Sequence, residues 1–406
     1  MSNKFIRSIR DLEITNKTIF LRVDFNVPLS DPDSEGVRKI EDDNRIQETL
    51  PTIQYAIEKK AKIVLASHLG RPKGKVDPQF SLQPIAEHLA NLLGIDVMLA
   101  DDCIGDGIDL LVRNLKPGQV ILLENLRFHK EEEGNDPGFS GKLGRNCQVY
   151  INDAFGTAHR KHASTYGVAA QIPTRGMGFL IEKELKFLDP LLQNPAQPFW
   201  TVLGGSKVSD KIKTIESLLR TVNGICIGGA MAHAFSAAMG EALPPKAKEP
   251  SIEDVNCAAS VIRSAKKNDL PLLLPIDTNE GFDIGPKTIG KFKDALGSAK
   301  TIFWNGPVGW FEKPEYATGT RELAEFIATT YALKIVGGGD TVSAIEQFGL
   351  ASRYDHLSTG GGAVLEYLEG NGLPGIEILK DYPNRKSHHK NAALQPTDEP
   401  DEDGNR

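Results

Sequence analysis

Leu203-Gly204-Gly205-Ser206-Lys207-Val208-Ser209-Asp210-Lys211 follows directly after the apolar run 199–202, and a helical pattern of apolar residues comes after it. A strand, two glycines and two lysines at the start of a helix form an anion site, because free N–H groups and the helix dipole point at the bound oxygens. Lys207 and Lys211 lie four positions apart, so we expect both ammonium groups on one helix face, within reach of one phosphate chain. Taken alone, the stretch fits a structural strand-to-helix turn with solvated lysines equally well.

Short runs rich in Val, Ile and Leu recur along the chain, at 18–23, 62–66, 120–123, 149–151, 200–203, 225–227, 272–274, 301–304 and 334–336. Helical patterns separate many of them, and this alternation is typical of parallel sheets with helices on both faces. Nearly ten strands are more than a single parallel sheet of this kind usually contains. We therefore predict an α/β protein with two doubly wound, Rossmann-like parallel-sheet domains.

A linker between the two domains is expected where a helical pattern at 182–188 is followed by Pro190, Pro195 and Pro198. We place the first domain at 1–180, an interdomain helix and hinge at 181–198, the second domain at 199–380 and a C-terminal segment at 381–406. Residues 396–404 are acidic, contain prolines and lack apolar side chains, so they are predicted to form a disordered tail.

The composition excludes several classes of protein. The 406 residues include 47 basic and 54 acidic residues, giving a net charge of -7, which argues against a protein that coats nucleic acid or an anionic membrane. No run is long enough to span a membrane, and the start lacks the apolar core of a signal peptide, so we expect a cytoplasmic protein. The cysteines are widely spaced and are expected to be buried free thiols: Cys103, Cys147, Cys226 and Cys257.

Polar side chains follow several strands of the first half, at the strand ends where doubly wound sheets bind ligands. Asp24 and Asn26 alternate to one side directly after the run 18–23. For any single arginine a surface ion pair is the commoner explanation, but four at successive strand ends indicate a site. The cations expected to converge on one rim, and to bind a small, multiply negative ligand, are Arg45, His68, Arg71, Arg127 and Arg160.

Glycine clusters follow the strands of the second half, at 228–229, 306–309, 337–339 and 360–362. Glycine lets backbone amides approach phosphate oxygens closely, and Asp340, directly after one cluster, is placed to bind a magnesium ion. Each cluster alone fits a tight turn before a helix. Together with Lys207 and Lys211, they predict a nucleotide-binding half.

Seven motifs carry a resemblance to a known family, at 22–28, 67–72, 152–160, 283–288, 304–307, 337–341 and 358–363. With these motifs in this order, the chain resembles the phosphoglycerate kinase family from about residue 11 to about residue 379. The resemblance implies a magnesium-dependent, reversible phosphoryl transfer between 1,3-bisphosphoglycerate and ADP, giving 3-phosphoglycerate and ATP.

The resemblance also implies a role for individual residues. In the first domain, 3-phosphoglycerate would be bound by Asp24, Asn26, Arg45, His68, Arg71, Arg127 and Arg160. On the nucleotide side, Glu312 would contact the ribose and Asp340 the magnesium ion, within the set Lys207, Lys211, Glu312, Gly338, Gly339, Asp340 and Thr341. The phosphoryl group in flight would be stabilised by Arg45, Lys207, Lys211, Gly338 and Gly361.

The resemblance further implies a monomer whose two domains close around a hinge, with a C-terminal segment that returns to the first domain. The acceptor is a carboxylate that is already ionised at neutral pH, so the chemistry needs no catalytic base. Two alternatives stay open on the sequence alone. One is a non-catalytic, two-lobed protein that closes on an anion, and the other is a related phosphotransferase acting on a different carboxylate.

Overall fold

The computed structural model describes residues 5–34 and 38–381. Its first half is built on a parallel sheet of six strands: β1 (Thr18–Val23), β2 (Lys62–Ala66), β3 (Val97–Leu99), β4 (Val120–Leu122), β5 (Val149–Asp153) and β6 (Arg175–Met177). In space the strands lie in the order β3-β4-β2-β1-β5-β6. The order reverses between β1 and β5, so a ligand crevice is expected beyond the carboxyl ends of these two strands.

Six helices accompany the first sheet: α1 (Asn44–Glu58), α2 (Gln83–Leu93), α3 (Asp106–Asn114), α4 (Lys130–Glu133), α5 (Pro137–Gly144) and α6 (Val168–Gln171). The central strand β1 is buried along its whole length. In α1, Ile46, Leu50 and Ile53 are buried at the spacing of one helix face and join the core cluster that contains alternate residues of β1. This packing fixes the first turn of α1 beside the ends of the strands.

The second half repeats this plan after α7 (Phe179–Gln193), which connects the two halves. Its six-stranded parallel sheet contains β7 (Phe199–Leu203), β8 (Gly224–Ile227), β9 (Leu272–Leu273), β12 (Thr301–Asn305), β13 (Leu333–Gly337) and β14 (His356–Leu357), and β10 (Thr278–Asn279) pairs with β11 (Asp283–Ile284) outside it. The strand order β14-β13-β12-β7-β8-β9 reverses between β7 and β12. This half therefore has its own crevice, beyond residues 203 and 305.

The helices of the second half are α8 (Ile212–Leu218), α9 (Ala232–Ala238), α10 (Ile252–Lys267), α11 (Pro286–Leu296), α12 (Thr318–Thr329), α13 (Gly339–Gln347), α14 (Gly362–Leu368) and α15 (Pro374–Glu377). No helix in the described part of the chain is long and apolar enough to cross a membrane. The predicted fold class, two parallel-sheet α/β domains, is confirmed, although only the second sheet has the strand order 3-2-1-4-5-6 of the dinucleotide-binding fold.

The described residues of the two halves contact each other at several places, one of them between α1 and α13, where Asn44 Nδ2 donates to Glu346 Oε1 at 2.8 Å. Helix α7 packs on α1 of the first half and on α14 of the second. The end of the described chain returns to the first half, where Gly375 N donates to Ala158 O at 2.8 Å and Lys380 forms an isolated bridge with Ile6. The domain limits at 180, 198 and 380 stay predictions, and the predicted disordered tail lies outside the described residues.

The four cysteines are all free. Cys103 and Cys226 are buried as predicted, whereas Cys147 and Cys257 are half-buried. Burial raises the pKa of the Cys147 thiol to about 12, so this thiol is protonated at neutral pH. The cysteines therefore do not form a disulfide framework within the described residues.

Candidate active site in the cleft between the two sheets

A cavity of about 260 Å³ lies at the carboxyl ends of β1, β2 and β5. Every side chain that the sequence predicts to bind the anionic substrate lines this cavity: Asp24, Asn26, Arg45, His68, Arg71, Arg127 and Arg160. Gly361 of the second half lines it too. The structure therefore brings the predicted cluster together and places it where the two halves meet. We call this space the cationic cavity.

The charge of the cationic cavity comes from its arginines. Burial and then the neighbouring arginines, Arg22 first, hold the pKa of His68 well below its usual value, so this imidazole is neutral at pH 7. The same causes lower the pKa of His162 to about 4. Asp24 is the one carboxylate among the lining residues, and its Oδ2 lies 3.2 Å from Arg45 Nη1. Four guanidinium groups against one carboxylate leave a net positive site that suits a small polyanion.

Arg127 shows that the cavity is built to receive acceptor atoms. It lies in the 3₁₀ turn Leu126–Phe128, which Asn125 fixes by accepting the Arg127 N–H at 3.0 Å. Arg127 Nη1 donates to Gly70 O at 2.7 Å, but Nη2 is buried and has no hydrogen-bond partner among the described residues. A buried guanidinium nitrogen without an acceptor is costly, so a bound anion is the expected partner.

Arg45 links the cationic cavity to the rest of the cleft. It lies in the first turn of α1, and its Nη1 donates to Asp24 Oδ2 and, at 3.1 Å, to Asn26 O. Arg45 also lines a larger space of about 460 Å³ between α1 and α13, which Gly339 and Gly361 line from the other side. Arg45 is thus the first-half cation that reaches both spaces.

The structure adds cavity residues that the sequence analysis left without a role, namely Gly70, Gly156, Thr157 and His159. It also places Arg22, a buried residue of β1, directly behind the cavity: Nε donates to Ser164 Oγ at 2.8 Å and Nη2 lies 3.2 Å from His68 Nδ1. A charged side chain inside an otherwise apolar strand was the signal that could have identified Arg22.

Lys211 occupies the crevice of the second sheet. Its Nζ donates to Gly204 O at 2.7 Å, Asn305 O at 3.0 Å and Asn305 Oδ1 at 2.6 Å, so it joins the ends of β7 and β12. Burial lowers the pKa of this ammonium group to about 8, against the opposing effect of Asp340. A cation held at the reversal point of a parallel sheet is suited to bind phosphate.

The predicted placement of the two lysines on one helix face is wrong. Helix α8 begins at Ile212, so Lys207 lies in the preceding loop and Lys211 only caps the helix. Gly205 adopts φ +97°, a conformation that ends the strand in a turn rather than opening a helix, and Ser209 and Asp210 favour turns over helix interiors. Lys207 is exposed, whereas Lys211 points back to the strand ends.

The glycine cluster after β13 lies beside Lys211. Gly338 adopts φ +90°, and a Cβ there would lie 2.9 Å from Asn305 Nδ2, so a larger residue would disturb the lysine's partner. Helix α13 starts at the next residue, and Thr341 Oγ1 accepts the Gly306 N–H at 2.7 Å, which ties the helix to the end of β12. The first turn of α13 thereby faces the same crevice.

Asp340 and Glu312 are both exposed. Asp340 lies in the first turn of α13, close enough for its charge to act on Lys211. A protein often contributes only one carboxylate to a magnesium site, because waters and substrate phosphates supply the other ligands. The accessible carboxylate of Asp340 therefore fits a magnesium ion. Glu312 follows the buried Phe311, and neither it nor Lys207 lines the cavities described for this chain. The structure thus does not join Lys207 and Glu312 to the other predicted residues.

A second-half cavity of about 200 Å³ lies between α9 and the segment 275–284. Its lining includes Gly229, Ile276, Phe282, Ile284 and Val308, with Asp277 and Glu241 at the polar side. Gly229 lies against the loop after β7, where a Cβ would be 2.8 Å from Gly205 N. The lining also includes His233, Ser236 and Thr278, so apolar and polar groups contribute to it about equally. A cavity of mixed polarity next to the Lys211 crevice suits a flat organic group that carries hydrogen-bonding atoms. We call it the second-half cavity.

Glu184 of α7 connects the hinge helix to the cleft. It is buried and accepts hydrogen bonds from His356 Nε2 and Ser358 Oγ, both at 2.7 Å, and from Thr359 N at 2.9 Å. The next residues, 360–362, line the cationic cavity. Glu184 therefore fixes the loop that carries Gly361, and the sequence offered no signal for this pairing across 172 positions.

Replacing Glu184 by glutamine should lower the free energy of unfolding by about 2–4 kcal/mol, because the new amide donor would face groups that donate to a buried carboxylate. Urea denaturation measures this change. Glu325→Gln on the exposed side of α12 is the control and should change stability by less than about 0.5 kcal/mol. Equal stability of the Glu184 variant and the parent would show that the buried pairing contributes nothing net.

The fold and the two crevices define the class: a two-domain α/β protein with a ligand crevice at the carboxyl ends of the strands in each half. The family profile described as phosphoglycerate kinase matches residues 9–371. A phosphoglycerate kinase of Anaeromyxobacter sp. (strain Fw109-5) is 47% identical over 400 residues, covering 92% of this chain and 99% of the relative. That of Borrelia hermsii is 46% identical over 398 residues, covering 92% and 99%.

Solved structures agree with the sequence relatives. Phosphoglycerate kinase from Coxiella burnetii superposes with a TM-score of 0.81 at 38% identity, covering 92% of this chain and 98% of that one. The enzyme from Pyrococcus horikoshii OT3 gives a TM-score of 0.80 at 33% identity with the same coverage. The chain belongs to the phosphoglycerate kinase family.

Proposed function

We propose that this chain is a magnesium-dependent phosphotransferase that moves a phosphoryl group reversibly between 1,3-bisphosphoglycerate and ADP, giving 3-phosphoglycerate and ATP. The observation that carries the proposal is the cationic cavity, where four arginines converge opposite Gly361 of the other half. A two-lobed binding protein would use the same arginines, but it gives no reason for a half-buried lysine and an accessible aspartate in the facing crevice. Membership of the family also favours the enzyme.

The cationic cavity holds 3-phosphoglycerate in this proposal. The guanidinium groups of Arg71, Arg127 and Arg160 would take the phosphate and carboxylate oxygens, with Arg127 Nη2 as a donor that is free to do so. Neutral His68 would donate or accept one hydrogen bond without adding charge. Asp24 and Asn26 would hold Arg45 and the substrate's hydroxyl group in place.

The nucleotide would lie across the second half. Its phosphates would contact Lys211 and the amides at the start of α13, namely those of Gly338, Gly339, Asp340 and Thr341, while Lys207 and Glu312 would have to move or close in to contribute. The second-half cavity would take the nucleoside. Asp340 would hold the magnesium ion, which, when bound, offsets charge on the phosphate oxygens.

The transfer itself needs positioning and charge neutralisation rather than proton removal, because the acceptor is an ionised carboxylate. Arg45, Lys207, Lys211, Gly338 and Gly361 would surround the phosphoryl group as it passes between the substrates. Closure of the two halves would bring these groups together and exclude water. We further propose that the enzyme acts as a cytoplasmic monomer without nucleic-acid or membrane partners.

The proposal is tested by a coupled assay for ATP- and magnesium-dependent phosphorylation of 3-phosphoglycerate. Turnover that requires all three components is expected. No turnover, with both substrates still bound tightly, would favour the two-lobed binding protein. Turnover with other carboxylates but not with 3-phosphoglycerate would favour a related phosphotransferase.

The affinity for MgATP should decrease as the pH rises above about 8, because the ligand-free Lys211 ammonium has a pKa of about 8 and loses its charge there. Below that pH the protonated lysine attracts phosphate, and above it the neutral amine does not. Equilibrium titrations of MgATP over roughly three pH units around that pKa, from about pH 6.5 to about pH 9.5, measure the trend. Lys211→Arg keeps its charge throughout this range and should flatten the profile. A parent profile as flat as the variant's would contradict the assignment.

A further inference from the structure

Asp102, Cys103 and His129 form a cluster of metal-ligand types in the first half, and nothing in the phosphoryl transfer uses them. Asp102 and Cys103 follow β3, and His129 follows the 3₁₀ turn after β4, so adjacent parallel strands bring the two segments together. The carboxylate oxygen, the sulfur and the imidazole nitrogen all lie within 4.8 Å of one another.

Hydrogen bonds within the cluster and contacts with neighbouring residues already hold its side chains in place. Asp102 Oδ1 lies 2.6 Å from His129 Nε2 and accepts the Cys103 N–H, also at 2.6 Å. Cys103 Sγ donates to Glu124 O at 3.0 Å, and the His129 ring packs at 5.0 Å from that of Phe139. The three side chains are therefore held close together before any ion binds. An ion at about 2.0–2.3 Å from each ligand atom would require the Asp102 oxygen and the His129 nitrogen to move slightly apart.

The donor set selects the kind of ion. One thiolate, one imidazole and one carboxylate suit zinc and similar borderline transition metals, whereas magnesium prefers oxygen ligands in an octahedral arrangement. Asp340, the residue proposed for magnesium, lies on α13 in the other half of the chain. The two sites would thus differ in place and in ion.

An ion can enter the cluster from the solvent. The Asp102 and His129 side chains are 48% and 23% exposed, while Cys103 is 2% exposed and forms the floor. Burial, and then the negative charge of Asp102, raise the pKa of the Cys103 thiol well above its usual range, so an ion has to displace the thiol proton as it binds. Solvent at the exposed side can supply the fourth ligand of a tetrahedral site.

We propose that Asp102, Cys103 and His129 bind a divalent transition metal ion of the zinc class, with water as the fourth ligand. Binding replaces three waters of the ion with the Cys103 sulfur, the Asp102 oxygen and His129 Nε2. The thiol proton passes to the solvent, and the Nε2 proton exchanges through the solvent to Nδ1, so the imidazole stays neutral. The hydrogen bonds from His129 to Asp102 and from Cys103 to Glu124 O are given up. No oxidation or reduction takes place.

The test is a titration of the full-length, chelator-treated protein with Co²⁺ in excess Mg²⁺. Bonding of cobalt to a thiolate produces an intense near-ultraviolet charge-transfer band, so the band reports a cysteine ligand directly. We expect it to saturate at one ion per chain and to disappear when Zn²⁺ is added. Excess magnesium should not prevent it.

Variants assign the band to this cluster. Cys103→Ser should abolish it, and His129→Gln should weaken Co²⁺ binding by at least about tenfold. Cys147→Ser is the control, because Cys147 is a free thiol that is half-buried and lies outside the cluster. Circular dichroism checks that each variant is folded, and His129→Gln, at a less buried position than Cys103, serves if Cys103→Ser does not fold. No band, a band that persists in Cys103→Ser, or equal loss in Cys147→Ser would overturn the proposal.

Discussion

Replacing Arg45 by alanine should lower kcat by at least about a hundredfold while nucleotide binding and folding are retained. Arg45 is the first-half cation that lines both the cationic cavity and the larger space between α1 and α13, where the second half presents Gly339 and Gly361. Its guanidinium group is therefore placed to neutralise charge on the transferring group. The coupled assay measures kcat, and an independent titration measures MgATP binding.

Arg113→Ala is the matched control for Arg45→Ala. Arg113 is exposed in the last turn of α3, where its Nε donates to Asn146 Oδ1 at 3.1 Å. This variant should retain parental turnover. If Arg45→Ala also keeps parental kcat and shows only a higher KM for 3-phosphoglycerate, Arg45 acts in ground-state binding alone and its assignment to the transfer is wrong.

The second large effect is expected for Lys211→Ala, which should reduce kcat/KM for MgATP by roughly two to three orders of magnitude. The variant loses the cation at the crevice of the second sheet. It also leaves Gly204 O and the Asn305 side chain without their donor, so a decrease in stability is expected as well. Initial rates measured well below the variant's melting temperature separate the two effects.

Two further variants isolate the charge of Lys211. Lys211→Arg should recover part of the activity, because it restores a cation but not the compact geometry of the ammonium group. Lys267→Ala, at an exposed position in the last turn of α10, should behave like the parent. Parental kcat/KM in Lys211→Ala would remove Lys211 from the proposed phosphate contacts.

The predictability of the fold follows from local patterns. Each of the nine apolar runs forms a strand, because long Val- and Ile-rich runs bury on both faces of a parallel sheet. Five described strands were missed, and their signals are weaker: β3 is only partly buried, β6 contains Gly176, and β10, β11 and β14 have two residues each. The pairing of β3, β6 and β14 depends on neighbours distant in sequence, which no local pattern encodes.

The candidate site, like the fold, could be predicted from the sequence only in part. The arginines of the first half could be predicted because parallel strand ends meet at one edge, so residues that follow successive strands converge. The position of Lys207 could not be predicted, because the loop after β7 turns at Gly205 and helix α8 starts later than the lysine spacing indicates. The pairing of Glu184 with His356 depends on how α7 packs between the halves, which only the assembled structure reveals.

Small-angle X-ray scattering tests the central claim most directly, namely that two substrates held on separate halves react only after the halves close around α7 and the returning segment 375–381. The radius of gyration would be measured for the ligand-free enzyme, with 3-phosphoglycerate, with a magnesium complex of a non-hydrolysable ATP analogue, and with both ligands. The account predicts a clear decrease with both ligands and a smaller change, or none, with either alone. The same radius of gyration in all four states, in an enzyme that turns over in the coupled assay, would contradict it.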